Sequence, residues 1–80
     1  MEIKILGSGC SNCQKLYEVA VRAVEQSGVQ AEVEKVEEIE AIMAHGVMMT
    51  PALVIDGEVM SAGKVPDSSQ VATWLTTAAS

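Results

Sequence analysis

Cys10 and Cys13 are the two cysteines of an 80-residue chain, and only Ser11 and Asn12 separate them. A thiol reacts as its thiolate, and an unperturbed cysteine with a pKa of about 8.5 is only a few per cent ionised at neutral pH. A C-x-x-C pair that opens a helix is placed differently. The helix N-terminus presents unpaired N–H groups and the equivalent of about half a positive charge, and thiol pKa values of about 3.5–7.5 occur in such settings. The two-residue spacer brings the second sulfur towards the first within one turn. Cys10 is then suited to attack a disulfide, and Cys13 to resolve the mixed disulfide by attacking Cys10. Cys10 is the expected nucleophile because it should be more exposed, and Cys13 should lie deeper, against the strand below. Ser11 and Asn12 are polar and able to hydrogen-bond a nearby N–H or sulfur, which makes them candidate substrate contacts.

The neighbouring pattern supplies the elements that must hold this pair. Ile3-Lys4-Ile5-Leu6 reads as a short strand stopped by Gly7, with the Lys4 ammonium expected to snorkel out at one end. Gly7 and Gly9 allow a sharp bend. Residues 14–27 read as a helix, because Leu16, Val19, Ala20, Ala23 and Val24 recur at the spacing of a core-facing stripe, and Gly28 is the expected stop. Residues 30–36 alternate polar and apolar like a half-buried strand. Strand, helix and strand make a βαβ unit with parallel strands.

In the second half, residues 37–45 read as a short helix with Ile39, Ile42 and Met43 on one face, ended by Gly46. An apolar run, residues 52–55, is joined by the hairpin signal Asp56-Gly57 to a strand over 58–61. Asp67 is the expected N-cap of a last helix, with Gln70 placed to complete a capping box. Val71, Trp74, Leu75 and Ala78 form its inner face, and residues 76–80 are expected to fray. The order is β-α-β-α-β-β-α in one domain spanning residues 1–80.

Thr50-Pro51 is the second candidate element. Cis costs only about 0.5–1 kcal/mol at an X-Pro bond, and a strand start tolerates the missing donor. If this loop lies beside Cys10, the backbone around Thr50 offers an edge to which an extended peptide or glutathione can pair.

Composition bounds the partners. Eleven acidic against 5 basic residues give a formal charge of −6, which argues against nucleic acid or an anionic membrane surface. The acidic crowding over residues 32–40 reads as a solvated edge and helix face. The opening residues lack the pattern of a secretory leader, and no apolar run approaches the ~20 residues of a membrane span. The chain is expected to be cytoplasmic and monomeric. Paired cysteines in such a chain point to catalysis or metal binding rather than to a staple. His45, the only histidine, is read as a helix C-terminal residue and Tyr17 as a half-buried helix residue. Met43, Met48, Met49 and Met60 are expected to fill the core, with a surface around Cys10 as the other place for Met48 or Met49.

Lys4-Ile5-Leu6-Gly7-Ser8-Gly9-Cys10-Ser11-Asn12-Cys13, then Thr50-Pro51-Ala52-Leu53-Val54-Ile55-Asp56-Gly57, then Gly63-Lys64-Val65-Pro66 together resemble the thioredoxin-fold superfamily. More narrowly they resemble its small redox-active disulfide, or glutaredoxin-like, proteins. The resemblance spans nearly the whole chain. It implies a thioredoxin-like α/β fold with a four-stranded mixed sheet flanked by three helices. It also implies Cys10 as nucleophile, Cys13 as resolving thiol and Pro51 as a cis-proline. The chain departs from thioredoxins at Gly9, where they carry Trp, and at Ser11-Asn12, where they carry Gly-Pro. Ala62-Gly63 stands where glutaredoxins carry a Gly-Gly pair.

The expected function is thiol–disulfide exchange or electron carriage without a cofactor. It would act on a protein or small-molecule disulfide, with a separate reductase to restore the dithiol. A soft-metal or metalloid carrier is the alternative, since two thiolates suit Cu(I). Heavy-metal-associated domains also place C-x-x-C after the first strand. They end in a strand, however, and carry Met near the position of Ser8, whereas this chain ends in a helix and carries Thr50-Pro51. A partner-binding module with an incidental dithiol is the third reading.

Overall fold

A computed structural model describes residues 1–7, 9 and 11–79 of the chain, the last of these by its backbone alone. Ser8, Cys10 and Ser80 lie outside the described residues, and with them the expected exposure of the Cys10 thiol. The elements run β1 (Glu2–Leu6), α1 (Ser11–Ser27), β2 (Glu32–Val36), α2 (Ile39–Ala44), β3 (Ala52–Ile55), β4 (Glu58–Ala62) and α3 (Ser68–Ala79). This is the expected order, and the expected thioredoxin-like α/β architecture with three helices about a four-stranded mixed sheet. The strands lie in the order β2-β1-β3-β4. β1 runs parallel to β2 and antiparallel to β3, and β3 pairs antiparallel with β4.

The sheet has two covered faces because side chains alternate along each strand. Ile3 and Ile5 of β1 and Leu53 and Ile55 of β3 pack with Leu16, Ala20 and Ala23 of α1 and Val71 and Leu75 of α3. Leu6, Ala52 and Val54 point the other way and pack with Ile42 of α2. β3 is therefore buried at every residue, which is why its sequence is an unbroken apolar run. β2, at the edge, is exposed at Glu32, Glu34 and Lys35 and half-buried at Val33 and Val36.

α1 begins at Ser11 rather than Gln14. Its first turn contributes one apolar side chain, Cys13, too little for a periodic signal, yet Cys13 continues the buried line of Leu16, Ala20 and Ala23. The helix stops at Gly28, whose φ of 69° takes the left-handed turn and whose N–H donates to the Val24 carbonyl at 3.1 Å. The Asp56-Gly57 turn has φ of 48° and 85°, the signs of a type I′ hairpin. Asp67 caps α3, accepting from the Gln70 N–H at 2.8 Å on Oδ1. α3 runs to Ala79.

Several packing expectations are corrected. α2 has only six residues, under two turns, so it cannot set three apolar side chains inward. Ile42 enters the core at 7% exposure, while Ile39 and Met43 are each 67% exposed. Met48 and Met49 are outside the core as well, because the loop before Pro51 runs over the surface. Met60 and Trp74 are half-buried against the main cluster, and Ala78 is exposed. Lys4 is half-buried, and its side chain reaches a groove shared with Glu34, Glu37, Glu38 and His45. None of the described helices is long and apolar enough to cross a membrane.

Candidate active site

Cys13 lies in the first turn of α1 and is 5% exposed. No acidic residue occupies that turn, so no carboxylate there opposes the helix dipole at the sulfur. Cys13 is disulfide-bonded. Ser11 and Asn12, in the same turn, are exposed.

Gly7 is the reason Cys13 can sit so deep. A Cβ on Gly7 would collide with the Cys13 sulfur, and would lie 3.2 Å from the Cys13 Cβ and 3.9 Å from the Pro51 Cα. The Gly7 N–H donates to the Val36 carbonyl at 3.0 Å, which fixes the end of β1 beside β2. The bare Gly7 backbone thus brings the resolving-thiol candidate and the proline candidate to one place.

The Thr50-Pro51 peptide is cis. Pro51 is buried and Thr50 exposed, so the loop turns a polar residue outward immediately before the strand enters the core. The Pro51 carbonyl accepts from the Gly63 N–H at 2.8 Å. Gly63 has a φ of 78°, and a Cβ there would meet Met49 Cε at 2.8 Å. Met49, 62% exposed, packs across Gly63 beside Pro51, and Met48 is 99% exposed. His45 stays apart from this constellation, its Nδ1 hydrogen-bonded with the Ala41 carbonyl at 2.9 Å.

Two charged residues join the site that the sequence reading passed over as surface. A cavity of about 190 Å³ is lined by Ile5, Gly7, Gly9, Cys13, Gln14, Lys35 and Glu37. Lys35 pairs with Ile5 across β1 and β2, on the side of the sheet that faces α1. Its ammonium stands 4.6 Å from the centre of the Tyr17 ring, a cation–π contact. Glu37 follows on the same alternation, and its Oε2 is 3.9 Å from where a Gly9 Cβ would stand. A signal for both was present. Ala31 and Val33 pack against the core, so the period of two sets Lys35 and Glu37 on that side of the sheet, near Cys13, where both remain exposed.

A family model described as a thioredoxin domain matches residues 1–76. The chain is similar to a thioredoxin of Methanothermobacter thermautotrophicus, 39% identical over 71 residues, which covers 89% of this chain and 92% of that one. It is also similar to a thioredoxin of Methanocaldococcus jannaschii, 36% identical over 69 residues, covering 86% of this chain and 79% of the relative.

Proposed function

Because this chain belongs to the thioredoxin domain family and is thereby a thiol–disulfide oxidoreductase, we propose that Cys10 and Cys13 are its exchanging pair, with Cys10 the attacking and Cys13 the resolving sulfur. The Cys10 thiolate attacks one sulfur of a substrate disulfide and expels the other as a thiolate. Cys13 then loses its proton and attacks the Cys10 sulfur. The second substrate thiolate leaves, and an intramolecular disulfide remains. Two electrons pass from the dithiol to the substrate. A separate reductase returns them, and the protein needs no cofactor of its own.

The observation that carries this reading is the burial of Cys13 against Gly7 with Pro51 beside them. A resolving thiol must be screened from outside disulfides yet reach its neighbour, and Cys13 is both buried and disulfide-bonded. The sequence holds one other cysteine, Cys10. The exposed Thr50 ahead of buried Pro51 supports a role for this loop as the edge against which an extended segment of substrate lies, with Ser11 and Asn12 opposite. Residues 1–80 act as one monomeric unit in a reducing compartment such as the cytoplasm.

The test is a pair of substitutions. Cys10→Ser is expected to abolish exchange. Cys13→Ser is expected to accumulate mixed disulfides through Cys10, seen as a mass shift that dithiothreitol removes. A Cys13→Ser protein that forms no adduct while the wild type exchanges would reverse the assignment of roles.

A further inference from the structure

We infer that the cavity lined by Cys13 holds the α-amino carboxylate head of a small disulfide of the cystine class, with the Lys35 ammonium on the ligand's carboxylate and the Glu37 carboxylate on its ammonium. The inference rests on the exchange chemistry proposed above and names a substrate class for that same site.

The two charged residues that line the cavity bear opposite signs. Lys35 stands opposite Ile5 in the β1–β2 ladder, with its ammonium over the Tyr17 ring. Glu37 follows two residues later, its Oε2 beside Gly9. They do not neutralise each other. Among the described residues the Glu37 carboxylate has no ion pair or hydrogen bond, and the Lys35 ammonium has only the Tyr17 ring. A ring contact leaves the ammonium's N–H donors available. Both side chains are exposed, so a ligand reaches them from solvent. Opposite charges on one cavity wall suit a ligand that carries both charges on one carbon. Gln14 adds a neutral amide donor and acceptor.

Size and position fit the same ligand. The cavity of about 190 Å³ is smaller than the roughly 300–1,000 Å³ of sites for drug-sized molecules, a space for one amino-acid-sized head rather than for a peptide. Gly9, which precedes Cys10 in the chain, lines it together with Cys13. A half-cystine carries its sulfur two bonds from the charged carbon, which sets that sulfur at the dithiol. A cysteine within a peptide has neither charge, because its amine and carboxylate are both amides. The cavity therefore adds a small-molecule substrate to the disulfide-bearing chains that lie along the Thr50 edge.

Atoms and electrons balance. The Cys10 thiolate attacks one sulfur of the small disulfide. The first amino-acid thiolate leaves with the electron pair of the broken S–S bond and takes a proton from water. Cys13 gives its proton to solvent, its sulfur bonds to that of Cys10, and the second amino-acid thiolate departs and is protonated in turn. One dithiol and one disulfide become one protein disulfide and two free thiols.

The test follows a single turnover of the full-length reduced protein near neutral pH. The disulfides are cystine, cystamine (ammonium only), dithiodipropionate (carboxylate only), neutral hydroxyethyl disulfide and glutathione disulfide. Acid quench, alkylation and mass give the rate of dithiol loss. Each rate is divided by that of dithiothreitol with the same disulfide, which removes differences in intrinsic reactivity. Cystine is expected to exceed hydroxyethyl disulfide about 10-fold, and the two singly charged disulfides about 3-fold, the size of exposed charge contacts. Lys35→Met should lower cystine to the level of cystamine, and Glu37→Gln should lower it to that of dithiodipropionate. Glu38→Gln makes the same charge change in the adjoining groove and should keep the wild-type order. Variants that slow every disulfide by one common factor would overturn the inference, since that marks a role in the shared chemistry and not in recognition. Glutathione disulfide reduced faster than cystine would overturn it too, by giving the cavity to a peptide. A wild type oxidised by none of these disulfides would defeat the exchange chemistry itself, and this inference with it.

Discussion

A side chain on the α-carbon of Gly7 would strike the sulfur of Cys13. β1 ends here so that a bare backbone, rather than a side chain, meets the first turn of α1. Gly7→Ala forces either the strand end or the helix start to move. Overpacking of this kind costs about 1–3 kcal/mol, and the expected outcome is a denaturant midpoint lowered accordingly. The crowded atom is the sulfur itself, so the variant's Cys13 should also label faster with a thiol reagent after reduction. A Gly7→Ala protein with wild-type stability and labelling would show that the site relaxes around the added methyl.

Asp56 does more than turn a hairpin. Its Oδ1 accepts the Glu2 N–H at 2.8 Å, and its own N–H donates to the Glu2 carbonyl at 2.8 Å, so the β3–β4 turn is laced to the start of β1. Asp56→Ala loses the side-chain bond and places alanine in the left-handed region. A loss of about 1 kcal/mol is expected. Hydrogen exchange at the Glu2 amide should rise more than at Leu53, whose ladder is untouched.

α2 should tolerate change on one flank only. Ile42→Ala empties a buried position and is expected to cost about 2 kcal/mol or more. Ile39→Gln alters a residue 67% exposed and should stay within about 0.5 kcal/mol of the wild type. Thermal unfolding of the two variants side by side decides between this packing and one that buries both isoleucines.

Oxidation by dilute peroxide should separate the methionines. Met48, 99% exposed, is expected to become the sulfoxide first, Met43 and Met49, 67% and 62% exposed, next, and half-buried Met1 and Met60 last. Peptide mapping against time reads the order directly.

The parts of this structure that were legible in the sequence are those specified locally. A C-x-x-C after a strand, a Thr-Pro before an apolar run, an Asp-Gly turn and an Asp cap each carry their geometry within a few residues. The facing of α2 was not legible, because a helix of six residues gives no full stripe and its rotation is set by the sheet beneath it. The place of Lys35 and Glu37 was half legible. Their phase along β2 pointed inward, but charged side chains at a strand's end ordinarily reach solvent. Only the position of α1 over β2 makes that end a wall of the Cys13 cavity. The cost of a Gly7 side chain was likewise beyond local reading, since the obstructing atom belongs to another element.

The strand order β2-β1-β3-β4 has a consequence for a nascent chain. β1 and β2 can pair as soon as the first 36 residues exist, and by then both cysteines have been made. The other edge of β1 has no partner until Ala52–Ile55 arrive, and Pro51 comes to Gly7 with them. During synthesis the thiols therefore precede the wall that shelters Cys13. Completion of the third strand, rather than formation of the helix that carries Cys13, closes the surroundings in which that sulfur is buried.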